Sequence, residues 1–459
     1  MTYGIHMKTT DTIAAQATPT GRGGVGIIRV SGPLTAQISR KILDKTIAVR
    51  SANFCNFFSK DKKIIDQGLA IYFSAPQSFT GEDVLELHGH GGQVIMDLLL
   101  RRVLELGARL ANPGEFTERA FLNRKLDLIQ TEAIADLINA ATEKAAQNAM
   151  RSLQGEFSKQ VNKLVSLLIE LRAQIEATID FVEEAEIKKG TNQNFINNIN
   201  NILLQIKQLK NTAKRGVILR DGVTIVITGS PNTGKSSLFN CLSGQDAAIV
   251  TDIPGTTRDV LRSWIQIDGL PAHVLDTAGL HDQPDLIEEE GIRRAWEEIK
   301  KADHVLLVVD SSINEESDPN KLTGDFLKEL SPHSSLTVLY NKIDLTGEAT
   351  KLIKANNVDC IYLSTKTGTG LDLLMQHLKS KAGFQATEEG FSARRRHLDA
   401  LERAENYLQN IQNNLLDSNK VELIAEELKH AQQALGEITG EVLVDDILNK
   451  IFSEFCVGK

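Results

Sequence analysis

Apolar positions along this chain change their period three times. Through residues 1–122, short alternating runs such as "GIIRVSG", "GLAIYFS" and "DVLELHG" follow the two-residue period of half-buried strands. One stretch there, "QVIMDLLLRRVLELG", has helical spacing, so a compact α+β domain is expected. From 123 to 217 the period becomes helical. Leu126, Ile129, Ala133, Leu137 and Ala140 keep three-to-four spacing, and the stripe continues through "VNKLVSLLIELRAQIEATIDF". The Asn-rich "TNQNFINNINNILLQIKQLK" carries Ile196, Ile199, Ile202, Leu203 and Ile206 in the same way, which predicts helix rather than a disordered tract. Residues 218–384 alternate strand and helix, as a mostly parallel sheet does, with "VTIVIT", "SWIQID", "AHVLD", "HVLLVVD", "LTVLYN" and "CIYLS" as its strands. Residues 385–459 are helical again. Helix, α/β module, helix reads as one domain inserted into another, which is inexpensive when the guest's ends lie close together.

Bulk properties narrow the class. The 459 residues carry a net charge of −9, which argues against a wholly basic nucleic-acid binder but leaves room for a local patch such as "ARRRH" (Ala393 to His397). Cys55, Cys241, Cys360 and Cys456 show no paired spacing. That argues against a disulfide framework or a local zinc site and fits a reducing compartment. No apolar run approaches the ~18 residues of a membrane span. The first residues lack the basic flank and apolar stretch of a secretory signal, so a cytoplasmic location is expected.

Two motifs invite over-reading. "GRGGVG" (Gly21 to Gly26) matches G-x-G-x-x-G letter for letter, but β-favouring "GIIRVSG" follows where a dinucleotide site needs a helix N-terminus. A Gly-rich turn into a strand is expected. "HGHGG" (His88 to Gly92) has two histidines without a nearby third ligand, and reads as the turn before a helix.

"VTIVITGSPNTGKSS" is more specific, because it places G-x-x-x-x-G-K-S directly after an apolar strand and before "SSLFNCL". Backbone N–H groups of Asn232, Thr233, Gly234, Lys235 and Ser236 would cradle phosphates at a helix N-terminus, with Ser237 beside them. Lys235 would reach the β and γ phosphates and Ser236 would ligate Mg²⁺. In "VLDTAG", Asp276 would hold Mg²⁺ through water, Thr277 and Ala278 follow, and the Gly279 N–H would meet the γ-phosphate. "LYNKID" brings Asn341, Lys342, Ile343 and Asp344, whose carboxylate can accept both guanine N1–H and the exocyclic amine. Ser364, Thr365 and Lys366 would close over the base. Four motifs in register imply a GTPase. The Gln that orients water in small signalling GTPases is replaced by Leu280, so "IEEEG" (Ile287 to Gly291) is the place to look for a substitute. No arginine finger is evident in cis. A monovalent cation can replace its charge, given oxygens from Asn232 and from the loop "VTDIPGTTRD".

Together "GSPNTGKSS", "IVTDIPGTTRDV", "DTAGL", "NKID" and "FCVGK" resemble the MnmE (TrmE) family of tRNA-modification GTPases. The resemblance extends through "TIAAQATPTGRGGVGIIRVSG", "SFTGEDVLELHGHGG" and "NPGEFTERAFLNRKLDL", which is nearly the whole chain; "MTYGIH" precedes it, making Met7 a second candidate start. The family implies a multidomain α+β protein: an N-terminal folate-binding and dimerising domain (1–122), a helical domain in two parts (123–217 and 385–459), and an inserted α/β P-loop GTPase domain (218–384). It implies K⁺-dependent hydrolysis by a homodimer, with Asn232, Thr251, Ile253 and Thr256 on K⁺ and Ser236 and Thr257 on Mg²⁺. Asp252, Pro254 and Gly255 belong to the same nucleotide loop. Glu288 matches the water-positioning Glu, and Arg29, Glu86, Lys125 and Lys459 match positions around a tetrahydrofolate. The implied task, shared with the FAD protein MnmG in a heterotetramer, is modification of the tRNA wobble uridine at C5. A ribosome-assembly GTPase would share the nucleotide motifs but not the flanking segments.

Cys456 stands fourth from the C-terminus, the place of a prenylated Cys, but the last residue is Lys459 and no basic cluster precedes it. A lipid-anchored switch is therefore disfavoured. A tail folded back to the folate site would make Cys456 a nucleophile or acid; the alternative is a small side chain that packs the tail.

Overall fold

The structure, a computed structural model, describes residues 11–180, 188–244, 262–276, 297, 299–313, 330–331, 334–355, 358–384, 390–414, 421–441, 451, 455 and 458. They form two compact units: Met1–Ala135, Leu153–Lys188 and Tyr407–Lys459 in one, Asp136–Ser152 and Lys189–Asn406 in the other.

The first unit is built on a sheet of β1 (Ile13–Gln16), β2 (Gly23–Ser31), β3 (Asn53–Phe58), β4 (Ile64–Phe73), β5 (Val84–Gly91) and β6 (Arg109–Leu110), in the order β3-β4-β5-β2-β1-β6. Only β1 and β6 run parallel. Alternation sorts β2 and β5 by face: Ile28, Val30, Leu85 and Leu87 pack under Ile38 and Ile42 of α1 (Thr35–Leu43) and Met96 and Leu99 of α2 (Gln93–Glu105). Phe116 of α3 (Glu115–Leu122) joins Ile13 and Ala15 in a separate cluster. The sequence pattern predicts one helix here; α1 and α3 are additional. Each has only about two turns, too few for a helical period to stand out. The Gly-rich segment does run into β2. "HGHGG" is not a turn, since His88 and His90 lie within β5 and only Gly92 separates it from α2.

Helices follow: α4 (Leu128–Ile138), α5 (Glu143–Leu153), α6 (Glu156–Asp180) and α7 (Lys188–Asp221). The five-residue stripe expected at the start of this region is shorter than predicted. Leu126 precedes α4 and Ala140 follows it, while Ile129 and Ala133 are buried. The Asn-rich tract is helical, with Ile199, Ile202, Leu203 and Ile206 inside.

From α7 the chain enters a sheet of β7 (Val223–Thr228), β8 (Arg262–Ile267), β9 (Leu270–Asp276), β10 (His304–Asp310), β11 (Ser335–Asn341), β12 (Lys351–Ala355) and β13 (Val358–Tyr362). Its order is β12-β13-β11-β10-β7-β9-β8. The five central strands are parallel and both edges antiparallel. All seven residues of β10 are buried, as a strand covered on both faces requires. The run "CIYLS" is out of register with its strand: β13 starts at Val358, and Ser364 lies beyond it. β12 is not anticipated, because "KLIKA" is an exposed edge strand guarded by lysines. Helices α8 (Lys235–Gly244), α9 (Ile343–Thr346) and α10 (Leu371–Lys381) belong to this module.

The chain returns to helix through α11 (Arg395–Asn414) and α12 (Val421–Thr439). The places where it leaves and re-joins the helices are tied together. Asp136 of α4 accepts from Arg220 Nε at 2.8 Å, at the end of α7, and from Arg394 Nη2 at 3.1 Å, just before α11. The Ser392 hydroxyl donates to its other oxygen at 2.5 Å. A Cβ on Gly216 would stand 2.2 Å from the Phe391 carbonyl oxygen, so the two backbones are in contact. The "ARRRH" patch is thereby divided: Arg394 serves Asp136, His397 is buried and Arg395 is exposed.

In the first unit, Arg172 of α6 donates to Gln432 of α12 at 2.8 Å. Near the C-terminus Ile451 and Phe455 pack on Leu128, Phe121 and Ala135.

Candidate functional site

The C-terminal ends of β7, β10, β11 and β13 meet at one edge of the parallel sheet, the edge at which such sheets bind ligands. Pro231, Asn232, Gly234, Lys235, Ser236, Ser237, Asn341, Lys342, Asp344, Leu345, Thr365 and Lys366 line a cavity of about 730 Å³ there. Three sequence motifs distant along the chain thus share one space.

The phosphate loop leaves β7 and turns through Asn232, which takes the left-handed conformation at φ 63°. α8 opens at Lys235, so its first N–H groups and its dipole face the loop. Lys235 and Thr233 both donate to the Ser230 carbonyl at 2.9 Å, closing the loop on itself. Gly234 cannot be another residue: at φ 99° a Cβ would sit 2.2 Å from Asn341 Nδ2.

Asn341, 1% exposed, connects the phosphate and base ends. Its Nδ2 donates to the Thr233 carbonyl at 2.8 Å and to Thr365 Oγ1 at 3.2 Å, and its Oδ1 accepts from the Thr365 N–H at 3.0 Å. Two residues on, Asp344 Oδ1 accepts from the Ser364 hydroxyl at 2.7 Å. Lys342 Nζ pairs with Asp310 Oδ2 at 2.6 Å. Sequence reasoning missed Asp310, whose signal is a carboxylate ending an otherwise apolar strand. The Cys241 thiol is half-buried and donates to the Thr365 carbonyl at 3.3 Å. Cys360 is buried, and burial pushes its thiol pKa up, which disfavours the thiolate.

Asp276 ends β9 beside Ile227 of β7. Thr251, Asp252, Ile253, Pro254, Gly255, Thr256, Thr257, Thr277, Ala278, Gly279, Glu288, Cys456 and Lys459 lie outside the described residues.

A second cluster sits on the first unit's sheet. Arg29 and Glu86 are directly opposed across β2 and β5, with Arg29 Nη2 2.9 Å from Glu86 Oε1. His88 Nε2 is 3.1 Å from Glu86 Oε2. The Arg29 guanidinium lies 5.6 Å from the Phe79 ring and 5.7 Å from the Phe116 ring. Lys125 donates to the Pro76 carbonyl at 3.1 Å, and Asn123 to the Thr80 carbonyl at 2.7 Å, so the loop bearing Phe79 is held to the end of α3. His88, Phe79 and Phe116 are further members that the motifs do not reveal. A Cβ on Gly458 would meet the Gln16 carbonyl oxygen at 2.2 Å, so the C-terminal tail reaches the end of β1, the strand beside Arg29's. Among the described residues no group of three His, Cys, Asp or Glu side chains is placed to hold a metal, and no helix is long and apolar enough to cross a membrane.

Residues 128–456 match the MnmE helical domain, and residues 12–125 match the GTP-binding protein TrmE N-terminus. The tRNA modification GTPase MnmE of Histophilus somni (strain 129Pt) is 55% identical over 98% of this chain and 99% of its own length. That of Ectopseudomonas mendocina (strain ymp) is 55% identical over the same shares. Among solved structures, the G domain of the T. maritima FeoB iron transporter matches 35% of this chain and 98% of its own at 25% identity, with a TM-score of 0.26. With matches at this identity along almost its entire length, the chain belongs to the MnmE family of tRNA modification GTPases.

Proposed function

We propose that this GTPase is K⁺-activated and works in the cytoplasm as a homodimer with an MnmG-like FAD protein, in a heterotetramer that modifies C5 of the wobble uridine of certain tRNAs with a one-carbon unit from a tetrahydrofolate. The observation that carries the nucleotide half is the cavity in which Asn341 binds the phosphate loop and the base loop into one frame. Asp344 would accept from guanine N1–H and the exocyclic amine, which adenine cannot match. Lys235 would meet the β and γ phosphates. Ser236, in the first turn of α8, offers the hydroxyl oxygen that Mg²⁺ prefers, with Thr257 as its counterpart. Asn232, exposed in the cavity wall, offers an amide oxygen of the kind K⁺ takes, and the family resemblance would add oxygens from Thr251, Ile253 and Thr256. Bound K⁺ would supply the positive charge that an arginine finger brings elsewhere, and Glu288 would orient the attacking water.

The Arg29–Glu86 cluster fits a folate in its chemistry. A pterin edge needs a carboxylate, a glutamate tail needs cations such as Arg29, Lys125 and Lys459, and Phe79 and Phe116 offer flat apolar surface. The folate supplies the one-carbon unit; this chain's residues bind and orient it.

GTP hydrolysis should be much faster in K⁺ than in Na⁺ at matched ionic strength, and equal rates would end the K⁺ reading. Glu288→Ala should slow hydrolysis while sparing GTP affinity, because water orientation matters in the transition state. A tRNA nucleoside profile of a deletion strain tests the modification half. Unchanged nucleosides with defective ribosomal subunits would favour ribosome assembly instead.

A further inference from the structure

We propose that Asp310 is a positioning residue for guanine recognition, holding the Lys342 ammonium at the base end of the nucleotide cavity. The proposal rests on the reading of that cavity as the guanine-nucleotide site.

Asp310 closes β10 and stands directly beside Asn341, the residue before Lys342. Its carboxylate is 9% exposed and committed on both oxygens. Oδ2 lies 2.6 Å from Lys342 Nζ, while Oδ1 accepts from the Ser312 N–H at 3.0 Å and the Ser312 hydroxyl at 2.7 Å. The carboxylate therefore cannot rotate without breaking three contacts. Lys342 takes φ 69° and lines the cavity next to Asp344 and Leu345. Its side chain leaves a constrained backbone and ends at a fixed anion.

This arrangement answers a difficulty that the cavity creates. Three lysines, Lys235, Lys342 and Lys366, line it, and a triphosphate would attract each of them. An ammonium on a four-carbon stem moves to the nearest strong anion unless another holds it. Asp310 provides that other anion, leaving Lys235 to serve the phosphates. The Lys342 stem is then ordered before the nucleotide arrives, as a flat apolar surface for the base plane.

The test uses the full chain with Asp310→Asn, Asp310→Glu, Lys342→Met and the Asp310→Asn/Lys342→Met double variant. Release of a fluorescent GDP is followed by stopped flow, alongside kcat and KM for GTP. Asp310→Asn should speed release about tenfold, as loss of one charge-assisted contact implies. KM should rise in parallel and kcat should stay within about twofold, since the contact acts on ground state and transition state alike. Asp310→Glu keeps the anion and should restore slow release to within about threefold of wild type, a rescue that general damage to the fold would not show. The double variant should release no faster than Lys342→Met alone, because both changes remove one interaction. Additive effects in this cycle, or wild-type release from Asp310→Asn, would overturn the proposal. If Lys342→Met itself leaves release unchanged, the base-site reading beneath it falls first.

Discussion

Ser364 donates its hydroxyl hydrogen to Asp344 at 2.7 Å, and Ser364 is fully buried. The acceptor proposed for guanine is thus fixed by a residue from the next loop rather than left to rotate. Asp344→Asn would put a donor opposite the exocyclic amine. Loss of two charge-assisted bonds should weaken GTP binding by about 3 kcal/mol, while xanthosine triphosphate should gain. Equilibrium titration with both nucleotides decides it; an unchanged GTP affinity would contradict the assignment.

Gly458 separates two accounts of the C-terminal tail. At φ 97° and with a Cβ 2.2 Å from the Gln16 carbonyl, Gly458→Ala should lift the tail from β1. Folate binding should fall while GTP hydrolysis is unaffected. Cys456→Ser is nearly isosteric but far less acidic, so a chemical role predicts lost tRNA modification with folate binding near normal. Near-normal modification in the serine variant would leave Cys456 a packing role only, and a membrane-pelleted wild type would revive the lipid anchor.

A pH effect should come from the far end of the sheet. His304 is 2% exposed, bonded to Ser335 and Thr337, and burial holds its pKa down to about 3 from an ordinary 6.5. Burial depresses His377 as well. An unfolded chain protonates His304 near pH 6.5 and the folded one does not, so its contribution is complete above that pH and declines as pH falls toward 3, and His377 acts in the same direction. Each can steepen the loss by up to ~1.4 kcal/mol per pH unit. The melting temperature should therefore drop between pH 7 and pH 5, and His304→Gln should flatten that drop. A slope unchanged in the variant would show that His304 does not cause it.

Arg119 is 2% exposed and donates to Glu115 at 2.9 Å, Glu82 at 3.1 Å and Asp11 at 3.0 Å. Arg119→Met removes the cation shared by these carboxylates and should cost about 3–5 kcal/mol. Thermal melting and hydrogen exchange over β1 and β2 report it. A loss below about 1 kcal/mol would mean that Arg109, which also pairs with Glu115, carries the cluster unaided.

The sequence was most legible where local pattern and tertiary role coincide. β10 and β11 are apolar because both faces are covered, so a continuous apolar run betrays them. The phosphate loop was legible because its glycines and lysine answer to backbone geometry within a few residues. Asp310 was not, because its role depends on Lys342, one sheet position away and 32 residues along the chain. His88 escaped for the same reason: only the pairing of β2 with β5 brings it, Glu86 and Arg29 together. The short helices α1 and α3 and the edge strand β12 lack a long periodic signal. Their positions depend on the sheet they cover or extend.

Asp136 grips Arg220 and Arg394 with one carboxylate, and Gly216 touches Phe391 backbone to backbone. The nucleotide module therefore has the form of a cassette whose two ends are stitched together. Cut out between Asp221 and Phe391 and bridged by a few residues, it would leave helices whose broken ends already meet.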